Sequence, residues 1–285
     1  QPGRTISILF YRFQWHVFGK KKKKKKSIVE HFCTILLVVL VRFSYKKNTV
    51  QSTKIRDFVG LEEVSKIDFL LPLFAEALGT CLLVLIGCAS CVTWGTTGPT
   101  VLHIAFTFGL AVASLAQVLG PISGCHVNPA VTMGLLVSGN CPLLKALCYI
   151  VCQCCGAIAA IHGLGATMLG EDVAGGQGVL VEAIVTFLLV LVVHAVTDPK
   201  RSDTKGWAPL AIGLTISVAH MAAVPVTGSS MNPARTLGPA VILGAWRHHW
   251  VYWVGPLAGS IVAGGLYKIG LRAKNKEEDE ASYDF

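Results

Sequence analysis

The chain has 285 residues, of which 53% are hydrophobic and only 14% charged, with 29 glycines. That is too apolar for a soluble domain, and the glycine content suits helices that pack closely inside a membrane. The formal charge of +9 belongs to the leader. Residues 1–57 hold 14 Lys and Arg against 2 Asp and Glu, and residues 58–285 hold 11 against 14, so the body of the chain offers no nucleic-acid surface.

The basic N-terminal segment, 1–57, is unlike the rest. Residues 20–26 are all lysine, and the apolar run at 35–41 is far too short to span a bilayer. The segment reads as a basic membrane-surface arm or as a gene-model artefact, a lysine run being what a translated poly-A tract produces. No small-residue cleavage site follows the apolar run, which argues against a secretory signal peptide.

Six apolar stretches follow, near 69–93, 100–119, 143–165, 178–197, 207–224 and 250–270, each close to the ~20 residues a spanning helix needs. Between the second and third lies Asn128-Pro129-Ala130, and between the fifth and sixth lies Asn232-Pro233-Ala234. Pro at a first helical position has the right φ and lacks only an N–H that would be unpaired anyway, and Asn before it is a favoured N-cap. Each stretch therefore predicts a short helix that enters the membrane without crossing it. Such backbone is tolerated at depth only inside protein or along a water-filled cavity.

Loop charges give an orientation. With a cytoplasmic N-terminus, the inner side receives Lys66, Lys145, Lys200, Arg201, Lys205, Lys268, Arg272, Lys274 and Lys276, and the outer side only Arg247. Nine against one predicts that both termini, including the tail 272–285, are cytoplasmic.

The chain also repeats. An offset of 104 aligns Asn128 with Asn232, Gly109 with Gly213 and Gly124 with Gly228; Glu76 pairs with Glu182, Tyr149 with Tyr252 and Gly156 with Gly259. Three spans per half is odd, so the repeat (about 68–165 and 174–270) is inverted, with its site at the midplane where the two half-helices meet. Two helix N-termini and two Asn amides there make a positive spot. Arg235 lies one turn beyond Asn232, and an arginine within a membrane is functional by default. His220 on the fifth span and Phe108 on the second complete a narrow ring with Arg235 and the Ser229 region, suited to a small neutral hydrogen-bonding molecule. Cys125, three residues before Asn128, is expected near the pore and within reach of mercurials.

Glu76 and Glu182 read as acceptors for backbone N–H groups of the re-entrant loops, and Gly255-x-x-x-Gly259 and Gly156-x-x-x-Ala160 as ridges for helix contact. His103, His162 and His194 read as interfacial. The ten cysteines sit mostly in apolar runs without zinc spacing and read as small buried side chains.

The stretches Ser123-Gly-Cys-His-Val-Asn-Pro-Ala-Val-Thr132 and Thr227-Gly-Ser-Ser-Met-Asn-Pro-Ala-Arg-Thr-Leu-Gly-Pro-Ala240, with the repeated glutamates, resemble the aquaporins, a family of major intrinsic proteins. Residues 57–63 are similar to the start of insect water-specific members. The resemblance implies an all-α membrane fold of six spans and two half-helices, with the channel domain at 58–271. It implies that Asn128 and Asn232 orient single-file water, and that Phe108, His220, Ser229 and Arg235 form the outer constriction. Ser229 is then a small residue whose carbonyl lines the pore, and His126 lies at the cytoplasmic mouth. Glycerol-conducting relatives differ at the positions of His220 and Thr236, and Tyr252-Trp253 follows the water-selective branch. The expectation is a passive water channel in the plasma membrane, homotetrameric, without cofactor, metal or chemical step. The alternatives are a pore for small neutral solutes and a scaffold or adhesion protein with minor conduction.

Overall fold

The computed structural model describes residues 53–93, 95–160, 165–201, 203–204 and 206–273. The lysine run, His162, Lys205, Lys274 and Lys276 lie outside them. Two short helices, α1 (Thr53–Val59) and α2 (Leu61–Val64), lead into α3 (Leu70–Ala89). Then come α4 (Val101–Ser123), the half-helix α5 (Pro129–Ser138) and α6 (Leu143–Ala159). The second half repeats this order with α7 (Gly175–Thr197), α8 (Ala208–Thr227), the half-helix α9 (Pro233–Leu243) and α10 (Val251–Leu266), whose last turn widens over Tyr267–Leu271.

Five of these, Ile67–Ala89, Val101–Ser123, Gly175–Thr197, Ala208–Thr227 and Val251–Leu271, are long and apolar enough to cross a membrane. The third predicted span, 143–165, is a shorter helix of 17 residues ending at Ala159. The second and fifth run further than predicted because Pro121 and Pro225 fall in their last turns; each helix stops three residues later on a left-handed glycine, Gly124 (φ 87°) and Gly228 (φ 73°). A proline there removes one ladder bond at an end that is about to finish.

Polarity is distributed inside out. Leu71, Phe74, Val118, Leu180, Ile184 and Val262 are exposed, whereas Glu76, Thr80, Gln153, Glu182 and Thr186 have no exposed surface. A surface of this kind is stable against lipid, not water. With lipid outside, helices hold together by close backbone approach rather than by burial of apolar area. A Cβ on Gly109 would collide with Gly213 O where α4 crosses α8. One on Gly156 would strike Ala77 O of α3, and one on Gly259 would strike Ala183 O of α7. The half-helices are seated by the same device: Gly238 of α9 against Ala157 O, and Gly264 of α10 against Gly134 O. The Gly156 and Gly259 contacts match across the halves, as do Gly238 against Ala157 O and Gly134 against Ser260 O, so the inverted repeat is built largely of matched glycine seams.

Of the histidines expected at the interface, His103 is exposed, but His194 is 1% exposed and sits inside, its ring 5.3 Å from that of Tyr267. Its Nδ1 donates to Val190 O at 2.7 Å, which removes one ring nitrogen's need for water.

Beyond the end of α7, Asp198 ties the two ends of the second half together. It accepts from Lys200 N at 3.0 Å, Tyr267 Oη at 2.8 Å and Ala273 N at 3.2 Å. Burial alone would raise its pKa, but these donors and the charge of Arg272 outweigh it and hold the carboxyl below its usual range.

Two outcomes are expected. Gly259→Val and Gly156→Val should each lower the thermal midpoint in detergent, by an overpacking cost of about 1–3 kcal/mol. Asp198 has a lowered folded-state pKa, so its stabilisation is present above the ordinary carboxylate pKa and lost as pH falls through the lowered one. The stability gap between wild type and Asp198→Asn should therefore be full near neutrality and close in acid, as read by thermal melts across pH.

Candidate pore

The site is built from two loops of unusual backbone. In 124–127, Gly124, Cys125 and Val127 have φ of 87°, 47° and 42°; in 228–231, Gly228, Ser229 and Met231 have 73°, 50° and 49°. Left-handed φ at Val and Met is costly for an isolated chain, so the surroundings must hold it. Two buried carboxylates do. Glu76 Oε1 accepts from His126 N at 2.9 Å and Ser123 Oγ at 2.7 Å, and its Oε2 accepts from Val127 N at 2.7 Å. Glu182 Oε1 accepts from Ser230 N at 2.9 Å and Thr227 Oγ1 at 2.7 Å, and its Oε2 accepts from Met231 N at 2.8 Å. The backbone donors are consumed outside the pore wall, as expected of these glutamates. Tyr149 and Tyr252 brace the loop starts, each hydroxyl donating at 2.8 Å, to Ser123 O and Thr227 O.

Each loop delivers an Asn in extended conformation at the start of a half-helix. Asn128 Oδ1 accepts from Ala130 N at 2.8 Å, and Asn232 Oδ1 from Ala234 N at 3.1 Å and Arg235 N at 3.2 Å. Their Nδ2 groups cross over. Asn128 Nδ2 donates to Met231 O, and Asn232 Nδ2 to Val127 O, both at 2.8 Å. Pro129 and Pro233 occupy first helical positions, and Ala130 and Ala234 are fully buried against the junction.

A cavity of about 420 Å³ runs past this junction. One wall is apolar (Leu83, Val112, Leu189, Ile216); the other is the stripe from Gly124 to Asn128 with Ser230 to Asn232. Cys125 and His126 both line it, and His126 Nδ1 lies 3.1 Å from Thr132 Oγ1. At one end stand Phe108, His220 and Arg235, and at the other Asn140, Thr197 and Pro199.

The first of these ends is a ring. Phe108 and His220 stack with centroids 4.7 Å apart, and Arg235 Cζ is 4.9 Å from the Phe108 centroid. His220 Nδ1 lies 3.1 Å from Ile216 O, which can only accept, so Nδ1 donates, and in the neutral form of the ring Nε2 is then an acceptor. That Nε2 and Arg235 Nε have no partner among the described residues. Arg235 Nη1 donates to Gly165 O at 3.0 Å and to Thr167 Oγ1, while Thr236 Oγ1 donates to Ser230 Oγ at 2.6 Å and stands 3.1 Å from Thr167 Oγ1.

Ser229 is fully buried at the turn that follows α8, and its neighbour Ser230 lines the cavity. The Ser229 N–H donates to Thr227 Oγ1 at 3.1 Å, which anchors that residue to the end of α8. Gly165 and Thr167, which hold Arg235, carry no motif. Only their proximity in the fold reveals them.

The family model for Major intrinsic protein matches residues 63–267. The chain is 43% identical to Aquaporin-5 of Sus scrofa over 219 residues, covering 72% of this chain and 83% of that one. It is 42% identical to Aquaporin-4 of Homo sapiens over 210 residues, covering 68% of this chain and 65% of that one, about two thirds of the relative's length. Among solved structures, the aquaglyceroporin from Plasmodium falciparum superposes with a TM-score of 0.65 at 25% identity, covering 71% of this chain and 97% of that one. The inverted pair of half-helices, the glycine seams and these likenesses agree: the chain belongs to the major intrinsic protein family.

Proposed function

We propose that this chain is a passive, water-selective membrane pore. The crossed Asn128 and Asn232 amides carry the reading. Each has two N–H donors, one of which is spent on the opposite loop, and both residues line the cavity. A water at the junction can accept from the remaining N–H groups, which turns its own hydrogens away along the pore axis. Water oriented this way cannot relay a proton through the midpoint. The positive ends of α5 and α9 converge on the same spot and, with Arg235, oppose cations. The ring of Phe108, His220 and Arg235 offers one acceptor and cationic donors opposite an aromatic face, which suits a molecule as small as water. The names of the Aquaporin-5 and Aquaporin-4 relatives support the same reading. The pore would be one of four in a homotetramer in the plasma membrane, with both termini cytoplasmic. No chemical step is involved.

The test is stopped-flow light scattering on proteoliposomes under an osmotic gradient, then a glycerol gradient. Fast shrinkage without glycerol entry is expected, and background rates in both would overturn the reading. In the same assay His220→Ala with Arg235→Val should widen the ring and admit glycerol at rates well above wild type. Unchanged selectivity would remove the ring from the mechanism. Mercurials should slow water flux in wild type and not in Cys125→Ser, since Cys125 lines the cavity.

A further inference from the structure

The first span ends on Gly87-Cys88-Ala89-Ser90-Cys91-Val92, a sequence that the pore reading does not use. After α3 stops at Ala89 the chain tightens: Cys91 N donates to Cys88 O at 3.0 Å and Val92 N to Ala89 O at 3.3 Å. In an i→i+3 turn, side chains three apart eclipse and their Cα atoms stand about 6 Å apart, inside the roughly 4.4–6.8 Å over which two cysteine sulfurs can be joined. Both thiols are free. Cys91 is partly exposed and its Sγ contacts Gly87 O at 3.6 Å; Cys88 is 1% exposed and its Sγ contacts Gly165 O at 3.8 Å. These are long, weak contacts that a stronger sulfur ligand would displace.

The pair touches the ring from behind. A Cβ on Gly87 would collide with the Phe108 ring, and Gly165, against Cys88, is the residue whose carbonyl holds Arg235 Nη1. We infer that Cys88 and Cys91 form a two-thiol capture site for trivalent arsenicals. Its occupancy displaces Gly165 O and so disturbs Arg235. With phenylarsine oxide as ligand, the partly exposed Cys91 thiol adds first. One As–S bond forms, and the thiol proton passes to the arsenic-bound oxygen as hydroxide. The Cys88 sulfur then attacks the same arsenic, the As–OH bond breaks, and its oxygen leaves as water with the second thiol proton. Arsenic stays trivalent, so no oxidant is needed. The second step is intramolecular, which favours a pair over any single cysteine.

The experiment treats the full-length protein in proteoliposomes with phenylarsine oxide, maps adducts by peptide mass, and measures water flux on the same samples. The expected result is a phenylarsenic group bridging the peptide that holds Cys88 and Cys91, released by 2,3-dimercaptopropanol and not by a monothiol. Water flux should fall with capture and recover on release. Cys91→Ser should keep wild-type flux, lose the bridge and resist inhibition; Cys88→Ser should likewise lose the bridge. An adduct found instead on the Cys152–Cys155 peptide, or a bridge surviving in either variant, overturns the site. Capture at the pair with unchanged flux overturns its coupling to Arg235. The flux readout rests on the proposed water pore, whereas the mass readout does not. Protein that passes no water before treatment therefore counts against the pore alone.

Discussion

Everything in this molecule depends on four atoms at its centre. Asn128 Nδ2 is bonded to Met231 O and Asn232 Nδ2 to Val127 O, each at 2.8 Å, so neither half-helix can be placed without the other. The bonds run crosswise between residues more than a hundred positions apart. In a low-dielectric interior an unpaired amide or carbonyl costs about 1–3 kcal/mol, so one misplaced half exposes the other's polar groups as well as its own. The junction is therefore close to all-or-none, which suits a site that must have one shape.

The glutamates make that junction possible. A left-handed valine or methionine is unfavourable by about 1–3 kcal/mol unless something fixes it. Glu76 and Glu182 each gather two backbone N–H groups of a strained loop, Glu76 with Ser123 and Glu182 with Thr227. A carboxylate, with about four acceptor sites, suits this where an amide does not. With the donors bound on the outer side, the stripe beside the cavity is left to accept. The two glutamates are not equivalent, however. Gln153 Nε2 donates to Glu76 Oε2 at 2.8 Å, while the position matching Gln153 in the second half is Pro256, which offers no side-chain donor.

The halves differ most where selectivity would arise. Arg235 follows Asn232 by one turn, and its guanidinium is held by Gly165 and Thr167, from the segment joining the two halves. In the first half the matching position is Val131, which is apolar and lines the cavity. Symmetry supplies the midplane junction; the departure from symmetry supplies the ring.

Much of this is legible in the chain itself. The Asn-Pro-Ala starts, the glutamates and the small-residue ridges each occur twice, and their local chemistry states what they do: cap, accept, or permit close approach. The repeat then implied that the two Asn meet. Thr167, Gly165 and Asp198 are not legible there, because each has a partner far along the chain; Thr167 and Arg235 are 68 residues apart. For the same reason the chain alone suggests an interfacial His194, whereas its ring packs inside against Tyr267: a residue's face is set by the helix it packs on. The sequence by itself determined the membrane class, the inverted halves and the identity of the central residues, since hydropathy and backbone propensity are local. Only the tertiary structure decided which hydroxyl and carbonyl hold Arg235, which serine reaches the cavity and which thiols stand behind the ring, since those depend on how helices meet.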